Sequence, residues 1–171
     1  QTVTELEQKI EKLNVKIATP REDQLIYANI AEEYRSYQSL HSSSSEHNKS
    51  TINNANAWVA NTNTSMVMIF NLPTNHYVGG IVTQGTGNKY QNWVKEFKVS
   101  CRPFKLSGCP ICNKWEEINN INNNNVFIGN IDKDTEKRNH FDRPRMSKEF
   151  KIEIISYNRY PAMRIDLLIR K

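Results

Sequence analysis

Cysteine and histidine are the side chains of this 171-residue chain suited to metal ligation or redox exchange. Cys109-Pro-Ile-Cys112 is a C-x-x-C pair, and Cys101 is the third thiol. A closed zinc site takes four ligands, and neither a second C-x-x-C nor an H-x-x-x-H accompanies this pair. His41, His47, His76 and His140 are scattered. Redox cysteines are activated at helix N-termini, whereas this pair falls in a hairpin-like insertion between strands. Zinc, redox exchange, a local disulfide and free thiols all stay open at this stage. The odd count leaves at least one thiol unpaired within a monomer. The His, Asp and Ser residues show neither nucleophile-elbow nor metalloprotease spacing. Gly79-Gly80 and Gly85-x-Gly87 lack the strand–loop–helix setting of a phosphate cradle. The residue types therefore predict a binding protein rather than an enzyme, with no metal site and no certain cofactor.

Binding needs less: a shaped loop on a rigid scaffold. Residues 78–100, VGGIVTQGTGNKYQNWVKEFKVS, supply one. Ile81-Val82-Thr83 is a β-branched run ending in Gln84-Gly85. A polar loop with Gly87, Asn88 and Lys89 follows. Trp93, Val94, Phe97 and Val99 then resume an apolar pattern alternating with charge, the mark of a half-buried strand. Net charge is +5, but Lys and Arg alternate with acids, as in Glu136-Lys137-Arg138. That is a solvated surface, with no nucleic-acid partner expected. No apolar run approaches the ~18 residues of a membrane span. The sequons Asn48-Lys49-Ser50 and Asn63-Thr64-Ser65 arise readily in so Asn-rich a chain and do not decide the compartment.

The elements that must hold such a loop follow in chain order. Val3, Leu6, Ile10, Leu13 and Ile17 form an a/d seam over two heptads, with Glu5 and Lys9 at i, i+4. Residues 1–19 are thus expected as a coiled-coil-like helix, ended by Pro20. Its seam serves either oligomerisation through residues 3–17 or docking on its own domain. Residues 20–38 read as a second helical piece or linker, since Leu25, Ile26, Ala28, Ile30, Ala31 and Tyr34 give an apolar face. SLHSSSSEHNKS at 39–50 is a polar linker or contains a first strand. From Ile52 onward, short strands are separated by turn chemistry: Val67–Phe70, Tyr77–Thr83, Trp93–Cys101, Val126–Ile128, Phe150–Ile154 and Met163–Leu167. This spacing predicts a mainly β jelly roll or sandwich over residues 39–171.

Several pieces in order resemble the discoidin family, the F5/8 type C domains of galactose-binding-like fold. Asn54-Ala55-Asn56-Ala57-Trp58 is similar to an early loop of the family. Thr83-Gln84-Gly85 and Trp93-Val94-x-x-Phe97-x-Val99-Ser100 resemble its central strands, with Trp115 as a following tryptophan. Phe127-x-Gly129-Asn130-x-Asp132 resembles its turn, Phe141-x-x-Pro144 its step into a strand, and Ala162-Met163-Arg164-Ile165-Asp166-Leu167 its closing strand. The resemblance covers roughly residues 40–169 and implies a distorted jelly-roll barrel. It departs at Asn71, where the family commonly has an Asp beside the closing-strand arginine. Arg164 then needs another partner, Asp166 or a backbone carbonyl, because an unpaired buried guanidinium is costly. No cysteine lies near either end to form the family's terminal disulfide.

The resemblance also implies ligand binding by loops at one barrel end, here about 46–56 and 85–92. Asn88, Lys89 and Tyr90 are the first candidates, with His47 and Asn54 next. Tyr90 would stack on a sugar face, and Asn and Lys would hydrogen-bond hydroxyls or a charged group. The loops are polar, which counts against membrane insertion. Two functional readings follow. One is an extracellular or cell-surface adhesion module for glycans or proteins, presented on an oligomerising helix. The other is an intracellular structural subunit that uses the same fold as a docking module in a large assembly.

Overall fold

The alternating apolar runs become one curled antiparallel sheet. A computed structural model of the chain describes residues 3–9, 25–42, 44, 46–104 and 114–170. The strands are β1 (Leu25–Tyr27), β2 (Arg35–Tyr37), β3 (Trp58–Val59), β4 (Val67–Gln84), β5 (Trp93–Pro103), β6 (Glu116–Ile118), β7 (Phe127–Ile128), β8 (Lys137–Asn158) and β9 (Ala162–Arg170). Their order is β1-β9-β4-β8-β5-β6, with β2 on β4, β3 on β9 and β7 on β5. The chain is mainly β, and the curled half-barrel agrees with the jelly roll expected from the sequence.

The long strands bend where their residues demand it. Val94, Phe97 and Val99 are all buried, yet the first step is three residues and the second two. One residue is surplus for a period of two. The β5–β8 register accordingly shifts between Val94 and Phe97. β4 and β8 shift against each other between Asn71 and His76, and again between Val78 and Gly80, where β8 loops out from His140 to Arg145. That second irregularity contains Phe141 and the buried Pro144, a residue suited to bulges because it has no N–H to give a ladder. Phe97 stacks on Phe127 at 5.5 Å between ring centroids, and Phe127 meets Phe141 edge-on at 6.0 Å. Trp58, fully buried, completes the core from the other side and donates its indole N–H to Ser39 O at 2.7 Å. Trp115, half-buried, lies under the guanidinium of Arg102.

The expected second helix over 20–38 is not formed in its described part. Residues 25–27 and 35–37 are strands, and only Glu32–Tyr34 makes a 3-10 turn. Tertiary pairing overrides the helical spacing. Leu25 pairs with Arg170, and Arg35 with Phe70. The Arg35 guanidinium is buried, donating to the carbonyls of Ile30, Ser50 and Ile165. Those bonds fix the segment in an extended path. The two-heptad coiled coil likewise finds no support: one short helix is described, over 3–9, and all seven residues are exposed. Ile10, Leu13, Ile17 and Pro20 lie outside the described residues, as do Cys109 and Cys112.

Candidate functional site

Arg164 ties together the loops at one end of the barrel. It is 4% exposed, and β9 aims it at three backbone carbonyls. Nε donates to Gly85 O at 2.8 Å, Nη1 to Asn54 O at 2.9 Å and Nη2 to Lys133 O at 2.9 Å. Asp134 is the nearest carboxylate, at 3.9 Å. Of the two partners foreseen for Arg164, the carbonyl is the one used. Asp166 serves elsewhere, accepting from the N–H groups of Asn29 and Ile30 and lying 3.7 Å from Arg35. Asn71 is exposed in β4, opposite Glu149.

The same loops are packed backbone to backbone. A Cβ on Gly85 would stand 2.6 Å from Asn92 O, and one on Gly87 only 2.1 Å from Asn54 O. A Cβ on Gly129 would stand 2.4 Å from Val94 O. Asn130 is buried, and its side-chain amide donates to Thr83 O and Thr135 O at 3.0 and 2.8 Å. Asp132 closes the turn by accepting from the N–H groups of Asp134 and Thr135. Those bonds hold its carboxyl below the usual carboxylate range. Trp93 differs from expectation. It stands at the loop base beside Gly85, yet it is only partly buried. Register accounts for this: Trp93 pairs with Asn158 at the end of β8, where the sheet runs out.

Above this base three segments enclose an open cleft of about 210 Å³. Loop 86–92 contributes Thr86, Asn88, Tyr90 and Asn92, and Thr86 N–H donates to Asn92 O to close the loop. The Ser-rich segment contributes His41, Glu46 and His47. The β8–β9 turn contributes Arg159 and Tyr160, while Val59 lines one wall. The turn is fastened to loop 86–92 by the Asn158 amide, which donates to Gln91 O at 2.8 Å. The Ser-rich segment is fastened to β3 by His41 N–H to Val59 O and Val59 N–H to His47 O.

His41 meets His47 edge-on, with centroids 5.1 Å apart, and Tyr160 at 6.0 Å. Ser42 Oγ is 2.6 Å from His47 Nδ1. Burial and then the adjacent His41 hold His47 below the ordinary imidazole range, partly offset by Glu46. Tyr90 and Tyr160 are about half exposed. The cleft thus offers two tyrosine faces, two imidazoles, two amides and a guanidinium.

Of the five candidate ligand residues, His47, Asn88 and Tyr90 meet in this cleft. Lys89 points its ammonium over the Tyr90 ring, 5.5 Å from the centroid. Asn54 serves below, through its carbonyl to Arg164. Glu46, Thr86 and Asn92 fall within the expected loops 46–56 and 85–92 without having been singled out, and His41, Arg159 and Tyr160 were not anticipated. The Asn158–Pro161 turn was visible between two alternating strands, but its place at this end depends on β9 leaving β8 to pair with β4. Among the described residues no group of three or more His, Cys, Asp or Glu is placed to hold a metal ion. No described helix is long and apolar enough to cross a membrane.

Comparison with known proteins bears on family and fold. The F5/8 type C domain family matches residues 34–167. Lactadherin of Mus musculus is 27% identical over 115 residues, covering 66% of this chain and 23% of lactadherin. The chain therefore spans about a quarter of the length of the curated relatives it matches. Discoidin II from Dictyostelium discoideum superposes with a TM-score of 0.66 at 18% identity, over 88% of this chain and 59% of that one. The family 32 carbohydrate-binding module of NanJ from Clostridium perfringens, solved in complex with galactose, gives 0.52 at 14% identity over 84% and 99% of the two chains. At these identities the structural likeness speaks to the fold.

Proposed function

The chain belongs to the F5/8 type C domain family, and from that premise we propose that it is a non-enzymatic recognition module whose loop-end cleft takes one galactose-type sugar. The observation that carries the reading is the meeting of Tyr90 and Tyr160 with His41, His47, Asn88 and Asn92 around one opening. A sugar ring has an apolar face for an aromatic and hydroxyls that both donate and accept. Tyrosine faces supply the first, and amides and imidazoles answer the second. The volume is below the roughly 300–1,000 Å³ of drug-sized pockets, which suits one ring with the rest of a glycan outside. A module of the same fold, from Clostridium perfringens, is known in complex with galactose. The setting that matches this reading is extracellular or cell surface. The exposed helix over 3–9 would join copies, so that weak single sites gain avidity.

Titration with galactose, followed by amide chemical shifts, tests the proposal, with glucose as the control sugar. Galactose should shift the amides of loop 86–92 and of the Asn158–Pro161 turn. Tyr160→Ala should weaken binding about tenfold, the size of a lost aromatic contact. Unmoved amides up to high millimolar galactose, or shifts far from the cleft, would reject the reading.

A further inference from the structure

Arg159 is an exposed cation that no described residue neutralises. It lines the cleft beside Tyr160, and its backbone has φ 59°, a left-handed conformation that arginine rarely adopts. The described residues give its guanidinium no hydrogen bond, ion pair or ring contact. Five other arginines are engaged, Arg35, Arg138 and Arg164 on carbonyls, Arg102 on Glu149 and Arg145 on Asp142, while the exposed Arg143 and Arg170 are not among the residues lining the cleft. Lys89, a second cation, stands over Tyr90 on the facing loop. Glu46 is the one acidic residue lining the cleft, and His41 and His47 complete its titratable groups. With Arg159 and Lys89 against Glu46, the charge around the opening favours an anion.

Resting on the sugar reading above, we infer that the preferred ligand is an acidic sugar, whose carboxylate or sulfate pairs with Arg159 while its ring lies against Tyr160. A guanidinium presents two parallel N–H donors that match two oxygens of either group, and such charge-assisted pairs exceed neutral hydrogen bonds. A neutral sugar would leave this donor pair to water. The turn supplies the positioning: Asn158 holds it to Gln91 O, so Arg159 and Tyr160 move with loop 86–92.

The test is a set of titrations of the full chain with galactose, galacturonic acid and galactose 6-sulfate at neutral pH and low salt. At least one acidic sugar should bind about tenfold more tightly than galactose, the gain of a charge-assisted pair. The two acidic arms distinguish carboxylate from sulfate. In Arg159→Gln the acidic-to-neutral affinity ratio should fall to near one, and in Arg159→Lys part of it should survive. The ratio is read so that a general loss of binding cancels. Added salt should shrink the preference in the wild type. Equal binding of acidic and neutral sugars, or a ratio unchanged in Arg159→Gln, overturns this inference and leaves the sugar reading standing. Failure of all three sugars to bind overturns both.

Discussion

Arg164 and Asp166 lie two residues apart on β9, yet each is neutralised by other groups. Three loop carbonyls take the guanidinium, and Arg35 with two backbone N–H groups takes the carboxylate. Burial nevertheless pushes Asp166 above the usual carboxylate range, against those bonds. Cys101 is the residue where burial has the plainest consequence. It is fully buried, and burial pushes its thiol from 9.0 to about 11. The thiolate is the reactive form. Cys101 should therefore resist iodoacetamide in the native protein at pH 8 and react once unfolded, as peptide mass mapping would show. A group whose folded pKa is raised holds its proton more tightly than the unfolded chain does. Its contribution to stability is full below about pH 9 and is lost as pH rises toward 11. Thermal unfolding of Cys101→Ala should lack that part of the alkaline decline. Rapid native labelling at pH 8 would contradict the burial. The partner of Arg164 was half legible, since the sequence called for Asp166 or a carbonyl. Arg35 was not legible at all, because its segment carries a helical apolar spacing.

At the scale of elements, the loops at the cleft end are set by close backbone approach more than by side chains. Gly87 is the test. Its added Cβ would meet Asn54 O and Ala55 O at 2.1 and 2.7 Å, and backbone cannot rotate aside. Gly87→Ala should push loop 86–92 away from residues 53–57, costing about 1–3 kcal/mol as an overpacking strain. It should also weaken sugar binding, because Asn88 and Tyr90 move with the loop. Urea unfolding and a galactose titration check the two parts. A variant with wild-type stability and affinity would show that the approach is not needed. Trp93, by contrast, is only partly buried, so its removal should cost less than the roughly 3–5 kcal/mol of a core aromatic. The sequence showed Trp93 as apolar and next to the loop, but exposure depends on where β8 ends. The long strands from Val67 onward were legible because their apolar patterning is local, whereas β1 and β2 lie in a segment whose spacing read as helix or linker. The extra residue in β5 was also present in the spacing of Val94, Phe97 and Val99, as the bulge that three buried positions require.

The cleft belongs to the whole molecule. Its walls come from His41, Glu46 and His47, from loop 86–92 and from Arg159 and Tyr160, far apart in the chain. Sequence reasoning reached the middle segment because glycines and a strong strand mark it. It left 39–50 as a linker or a first strand and reached His47 only through the family resemblance, since the anchoring of that segment to β3 has no local signature. Oligomeric state belongs to this scale as well. Val3 is 75% exposed and Leu6 49%, an apolar pair on a helix covered by nothing described. If copies join there, Leu6→Asp should lower the mass seen by light scattering while the sheet melts as before, because a charge in an apolar seam is left unpaired. An unchanged mass would remove this helix as the joining element.

The placement of β9 also governs how the chain comes off the ribosome. This strand is made last among those described, yet it lies between β1 and β4 and brings Met163, Ile165 and Leu167 to the core. Synthesis proceeds from the N-terminus at about 5–20 residues per second. For the whole interval before residues 162–170 emerge, the Val78–Gln84 ladder has no partner on that side, and a bare strand edge invites pairing with other nascent chains. Folding of a sheet so dominated by contacts distant in sequence should therefore be slow for its size. Until residues 162–170 are free, keeping nascent chains apart should limit pairing at this edge.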